Sequence, residues 1–108
     1  MIKALFLYNK YGFLTSYEIS GHDPSAESGK NIICAAVSAL ALTFTQSLIE
    51  ILKLPLSGKI EKGFISLSLP SESEKDLKEV ELLLKSLILG LRSINKQYGN
   101  VIQIIEKN

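Results

Sequence analysis

The sequence has no tryptophan, one cysteine, one histidine and three prolines among its 108 residues. A single cysteine excludes an internal disulfide, and free thiols are typical of reducing compartments, so we expect an intracellular, cytoplasmic protein. One histidine and one cysteine also leave a metal site short of ligands, because protein zinc sites use three or four. We therefore expect neither a metal nor a cofactor.

An excess of charge of one sign is also lacking. Twelve basic and eleven acidic residues give a net charge of +1, which argues against a broad electrostatic footprint for nucleic acid or an anionic membrane. No basic segment followed by an apolar run opens the chain, so we expect no signal peptide. With 46% apolar and 21% charged residues, the composition is typical of one globular domain over residues 1–108.

The strand signals come in two hairpins and one isolated segment. Each hairpin has a short turn that ends in glycine, Lys10-Tyr11-Gly12 in the first and Glu61-Lys62-Gly63 in the second. Runs of aromatic and branched residues beside these turns, and a last run near the end of the chain, predict strands at 2–9, 13–20, 64–69 and 101–106. The segment SGKI before the second turn supplies the fifth strand, as the first arm of that hairpin.

Two helices are predicted between the strands. The first begins at Asn31 as its N-cap, extends to about Lys53 and is apolar nearly all round, so we expect it to be mostly buried, with part of the cover supplied by a second subunit. The second has a capping box formed by Ser71 and Glu74, and it ends at Gly99. Its apolar residues recur at helical spacing: Leu77, Val80, Leu84, Leu87, Ile88, Leu91 and Ile94.

The resulting element order is ββαββαβ. This order predicts an α+β domain of two layers, in which two helices pack on one face of an antiparallel or mixed sheet.

The only histidine and the only cysteine, His22 and Cys34, stand twelve positions apart. A lone cysteine in an apolar helix is often a small buried hydrophobe, and a lone loop histidine often has no catalytic role. If Asn31 is the N-cap, however, Cys34 lies in the first turn, where the helix dipole favours a thiolate. A nearby histidinium would add to that effect and could protonate a leaving amine.

Several neighbours of this pair are ambiguous. The segment DPSAESGKN between them is small and polar, typical either of a substrate-gating flap or of a plain solvated connection. Ser38 lies one helical turn after Cys34, and it could line a site with Gly21 and contact substrate, or bond back to the carbonyl of Cys34.

Gly21-His22, a glycine-containing loop and the run IICAAVSAL at 32–40 together resemble the signature of the bacterial ribosomal-processing cysteine proteases. The resemblance implies Cys34 as nucleophile and His22 as general base. It further implies a homodimeric enzyme that removes an N-terminal extension from a large-subunit ribosomal protein, cutting after an aromatic residue. Backbone N–H groups at the helix start, including that of Cys34, are then expected to stabilise the oxyanion.

One position departs from that pattern. Asn31 stands where many members carry aspartate, so the dyad would lack a charged third member or recruit Asp23 or Glu27. The main alternative is a non-catalytic dimeric α+β module that binds or regulates the ribosome. A weaker alternative is RNA binding by sheet aromatics, which the charge balance disfavours, using Tyr8, Tyr11, Phe13 and Tyr17.

Overall fold

The computed structural model describes residues 1–22, 28–70 and 76–108. In these ranges the chain forms a sheet of five strands and two helices in the order ββαββαβ. The elements are β1 (Ile2–Tyr8), β2 (Leu14–Ser20), α1 (Ser28–Gln46) with a π-helical continuation (Ser47–Ile51), β3 (Ser57–Glu61), β4 (Phe64–Ser68), α2 (Leu77–Tyr98) and β5 (Ile102–Lys107).

The sheet is mixed, with the strand order β3-β4-β2-β1-β5. The two hairpins and the β2–β4 pair are antiparallel, whereas β5 runs parallel to β1, with Ile2 opposite Ile102. The predicted α+β class is therefore confirmed, and the sheet is the mixed one of the two alternatives. The starts of β1 and β5 lie beside the end of β2, at one end of the sheet along the strand direction. Met1, Val101 and Gly21 therefore meet there.

The core lies between one face of the sheet and the two helices. Alternate residues of β1 (Ile2, Ala4 and Phe6) point into it, as the pleat of a strand requires. The helices approach closely at Gly90, where an added Cβ would lie 2.9 Å from the Leu40 side chain. The predicted apolar face of α2 is buried at five of its seven positions, Val80, Leu84, Leu87, Ile88 and Leu91.

The predicted start of the first helix is wrong. Helix α1 begins at Ser28, three residues before the expected cap at Asn31, which is itself exposed. The prediction treated Gly29 as a break, but a glycine inside a helix costs only about 1 kcal/mol, which packing of the apolar face can offset. Cys34 consequently lies in the second helical turn. Its N–H is within the helical bonding pattern, so it is not a free donor for an oxyanion as predicted.

Within the single chain, helix α1 is buried only in part. Residues 31–51 are long and apolar enough to cross a membrane by length and composition alone, with a mean hydropathy of 2.0, and 33% of that window is buried inside the fold. Large side chains remain exposed at Ile32, Leu42, Ile49 and Ile51.

Both helices end at residues whose local sequence favours a helix end. The π-helical segment ends at Ile51, and Lys53 then takes a positive φ of 58° ahead of Pro55. The predicted capping box of Ser71 and Glu74 lies outside the described residues. Helix α2 ends at Tyr98, and Gly99 follows with φ of 87°, in agreement with its predicted role.

Candidate active site

The site begins at Gly21, where strand β2 ends and the chain reverses. Gly21 has φ of 83°, and its N–H donates to the carbonyl of Gly63 in the second hairpin turn at 3.1 Å. A Cβ at this position would lie 2.7 Å from the carbonyl oxygen of Met1. Both the conformation and the space therefore require glycine here, and the reversal carries the next residue back under the strand.

The imidazole of His22 is buried beneath the end of β2, with 3% of the residue exposed. Its Nε2 lies 3.1 Å from the carbonyl oxygen of Ile19, and its Nδ1 lies 2.8 Å from Oγ of Ser38. Burial lowers the pKa of His22 below its ordinary value, and the Ile19 carbonyl opposes that shift because it accepts a hydrogen bond from the ring. The neutral imidazole is therefore favoured in this arrangement.

Cys34 presents its thiol to the same strand end. The residue is 4% exposed, and its Sγ donates a long hydrogen bond of 3.8 Å to the carbonyl of Gly21. Within the described part of the chain, the sulfur and the His22 ring make no hydrogen bond with each other. The ring bonds instead to Ser38, which lies four residues, about one helical turn, after Cys34 on the same helix face.

An open cavity of about 340 Å³ lies beside the thiol. Its walls come from the starts of β1 and β5, from the strand-end glycine and from helix α1, and they are largely apolar. The lining residues are Met1, Ile2, Gly21, Ile33, Cys34, Asn100 and Val101. The cavity can accept an apolar side chain directly next to the sulfur.

The structure brings together all four residues named from the sequence, Gly21, His22, Cys34 and Ser38. The Ser38 hydroxyl bonds to His22, at the ring and at the carbonyl oxygen (3.1 Å), rather than back to the carbonyl of Cys34. Contact of Gly21 and Ser38 with substrate stays a prediction. Asp23 and Glu27, the expected charged supports, lie outside the described residues.

Sequence reasoning missed the carbonyl of Ile19 and the cavity walls at Met1 and Val101. A backbone carbonyl carries no sequence signal. The cavity walls meet only because β5 enters the sheet parallel to β1, which is a tertiary feature.

Of the aromatic residues considered for RNA binding, Tyr8, Tyr11 and Phe13 line one cavity, whose walls also include the acidic Glu81 and Glu106, and Tyr17 lies apart from them. Tyr17 is in the core, where its hydroxyl bonds to Oγ1 of Thr45 at 2.7 Å, and burial raises its pKa to about 12. Tyr8 donates to Glu106, and Tyr11 packs against Phe13 at the first hairpin turn. In the three described ranges, no group of three or more metal-binding side chains comes together.

A buried thiol, a buried histidine ring bonded to the same helix face and an apolar cavity beside the sulfur are the parts of a cysteine-dependent acyl-transfer enzyme. Comparison with known proteins gives the same class. The chain matches the family described as Cysteine protease Prp over residues 1–103, and it belongs to that family. It is accordingly a cysteine protease of the ribosomal-processing type, as the sequence resemblance implied, rather than the non-catalytic module considered as an alternative.

Individual relatives agree over nearly the whole chain. The ribosomal processing cysteine protease Prp of Bacillus subtilis (strain 168) is 24% identical over 107 residues, which cover 96% of each chain. The crystal structure of SMU.848 from Streptococcus mutans matches with a TM-score of 0.79 and 28% identity, covering 100% of this chain and 96% of that one. The essential ribosomal processing protease Prp of S. aureus, solved with a substrate peptide, matches in fold with a TM-score of 0.81 and 21% identity, covering 99% and 100%.

Proposed function

We propose that this protein removes the N-terminal extension of a large-subunit ribosomal protein during ribosome assembly, with Cys34 as nucleophile and His22 as general base. The observation that carries the proposal is the common location of the two side chains. Both contact the chain reversal at the end of β2, and the apolar cavity opens directly beside the sulfur.

The reaction is acyl transfer in two stages. His22 takes the proton of the Cys34 thiol, and the thiolate attacks the scissile carbonyl. The C–N bond breaks as the imidazolium gives its proton to the leaving amine, so that a thioester and a new N-terminus are formed. His22 then removes a proton from water, the hydroxide attacks the thioester, and the proton returns to the thiol as the cleaved fragment leaves as an acid.

The cavity beside the sulfur supports an apolar residue on the acyl side of the scissile bond. At about 340 Å³ it has the size of a small ligand site and could enclose an aromatic side chain. Its walls include Ile33 and Val101. Val101→Phe would narrow the cavity. It should therefore lower the cleavage rate of substrates with a large residue at that position more than the rate of substrates with a small one.

The proposed cleavage is tested with the extended ribosomal protein from the same genome, followed by intact-mass spectrometry. We expect loss of the extension with the wild type and no cleavage with Cys34→Ala. Ser93→Ala, a serine in α2 whose hydroxyl donates within its own helix to the carbonyl of Leu89, is a matched control and should retain activity. Cleavage by Cys34→Ala at the wild-type rate would reject Cys34 as nucleophile.

We further propose that the enzyme is a cytoplasmic homodimer assembled through α1. Exposed positions on this helix recur with alternating spacings of three and four residues, the repeat of a two-helix seam, and a second copy offers the same stripe. The stripe consists of Ile32, Ala35, Ala39, Leu42, Gln46 and Ile49.

Sedimentation equilibrium tests this assembly. We expect a dimer for the wild type and a monomer for Leu42→Glu, whereas Thr43→Glu, beside the stripe, should remain dimeric. A monomeric wild type would reject the dimer. Co-flotation of the wild type, but not of Leu42→Glu, with neutral lipid vesicles would assign the stripe to a membrane instead.

A further inference from the structure

The hydrogen bonds of His22 define which ring nitrogen carries a proton. The Ile19 oxygen is a carbonyl and can only accept, so the contact of 3.1 Å to Nε2 requires a hydrogen on Nε2. In the neutral ring that burial favours, Nδ1 then has a lone pair and must accept. Its partner at 2.8 Å is the Ser38 hydroxyl, which therefore donates to Nδ1.

The Ser38 hydroxyl has one hydrogen, and among the described residues two acceptors of His22 lie within its reach. Its Oγ lies 2.8 Å from Nδ1 and 3.1 Å from the carbonyl oxygen of His22. While the ring is neutral, the Ser38 hydroxyl donates its hydrogen bond to Nδ1. When Nδ1 gains a proton, the hydroxyl is released to donate to the carbonyl, because a protonated Nδ1 no longer accepts. The acceptor that the Ser38 hydroxyl uses thus depends on whether Nδ1 carries a proton.

The reacting nitrogen follows from the same contacts. Nε2 is directed at Ile19 in the strand, while Nδ1 is directed at helix α1, which also carries Cys34. Side chains four residues apart on a helix lie about 5–6 Å from each other at Cβ, so a pivot of the ring about its Nε2 contact would transfer Nδ1 from Ser38 to Cys34.

We propose that Nδ1 of His22 is the base that takes the thiol proton, that the Ile19 carbonyl fixes this tautomer, and that Ser38 is a positioning residue that holds Nδ1 before substrate binds. The proton transfer breaks the S–H bond of Cys34 and forms an N–H bond at Nδ1, leaving a thiolate and an imidazolium. The inference rests on the proposed dyad. It assigns to a backbone carbonyl the orienting role for which Asn31, Asp23 or Glu27 was considered from the sequence.

The single histidine makes the tautomer directly measurable. In protein labelled with ¹⁵N-histidine, freed of any affinity tag and without substrate, long-range ¹H–¹⁵N spectra report the two ring nitrogens of His22 alone. At neutral pH we expect the tautomer protonated at Nε2. A ring protonated at Nδ1 would overturn the proposal, whether or not the protein cleaves the ribosomal substrate.

Ser38→Ala tests the holding role. Loss of one hydrogen bond of ordinary strength shifts a two-state equilibrium by about threefold to tenfold, so the rate of Cys34 alkylation by iodoacetamide should rise by that factor. The Nδ1 resonance should also shift. Ser38→Thr keeps a hydroxyl and should restore both readouts, whereas Ser93→Ala, the matched helical serine, should change neither.

Other results contradict the assignment. Equal alkylation rates and ring spectra in Ser38→Ala and Ser93→Ala would remove Ser38 from the account. A slower alkylation in Ser38→Ala, with native far-ultraviolet circular dichroism, would mean that Ser38 supports the pairing of His22 with Cys34 rather than delaying it. If Ser38→Ala fails to fold, the wild-type tautomer and Ser38→Thr still decide the proposal.

Discussion

Replacing Gly21 by alanine should destabilise the protein and displace His22, and the structure separates two contributions. A side chain at φ of 83° costs about 1–2 kcal/mol in backbone strain. The added Cβ would also lie 2.7 Å from the Met1 carbonyl oxygen. That oxygen cannot move freely, because the adjacent N–H of Ile2 donates to Val101. Weakening this bond costs about 0.5–1.5 kcal/mol, giving a total of about 1.5–3.5 kcal/mol.

Gly12 provides a matched control for the strain alone. It has the same φ of 83° in the first hairpin turn, but an added Cβ there meets nothing within 4 Å. Gly12→Ala should therefore cost only the strain, about 1–2 kcal/mol, and should retain activity. Urea unfolding of the two variants measures the difference in the free energy of unfolding. Values that agree within about 0.5 kcal/mol, the usual error of such comparisons, would refute the role of the Met1 contact.

Three further predictions concern other named contacts. Tyr17→Phe should lower the free energy of unfolding by about 1–2 kcal/mol, because it leaves the buried Thr45 hydroxyl without its partner. In a double-mutant cycle, the variant that carries both Tyr17→Phe and Thr45→Val should lose less stability than the two single variants lose in sum. Asn95→Ala should lower the free energy of unfolding in urea by about 1–3 kcal/mol, since the Asn95 amide both donates to and accepts from the backbone of Ile102 (2.8 and 2.9 Å) at the start of β5. Asn95→Asp keeps the oxygen that accepts from the Ile102 N–H but loses the donor, so it should recover only part of this stability. His22→Gln should reduce the loss of stability on acidification below about pH 6.5, because the lowered pKa of folded His22 means that the unfolded chain binds a proton first. The effect is at most about 1.4 kcal/mol per pH unit. If the melting temperature of His22→Gln falls between about pH 7.5 and pH 5.5 by as much as that of the wild type, the prediction is contradicted.

The elements that the sequence predicted well are those set by local chemistry. Glycine turns at Gly12 and Gly63 joined runs of strand-forming residues, and both hairpins formed there. The apolar repeat of α2 and its end at Gly99 were likewise visible, because helical spacing and a positive-φ terminus are properties of a few consecutive residues.

The start of α1 and the partners of His22 depended on tertiary structure. Asn31 is a good cap by local preference, yet the helix begins at Ser28. The pair His22 and Cys34 could be selected from the sequence as chemically competent residues. The ring orientation could not, since it depends on the reversal at Gly21, the carbonyl of Ile19 and a serine on another element.

The most direct test of the account is the covalent intermediate itself. The enzyme is mixed with the extended ribosomal protein, quenched in acid during the first turnover and examined by intact-mass spectrometry and peptide mapping. The account predicts an enzyme heavier by the mass of the released N-terminal fragment less one water, with the added mass on the peptide that contains Cys34. The adduct should be absent in Cys34→Ala. Cleavage of the substrate by Cys34→Ala, or an adduct on another residue, would contradict the account.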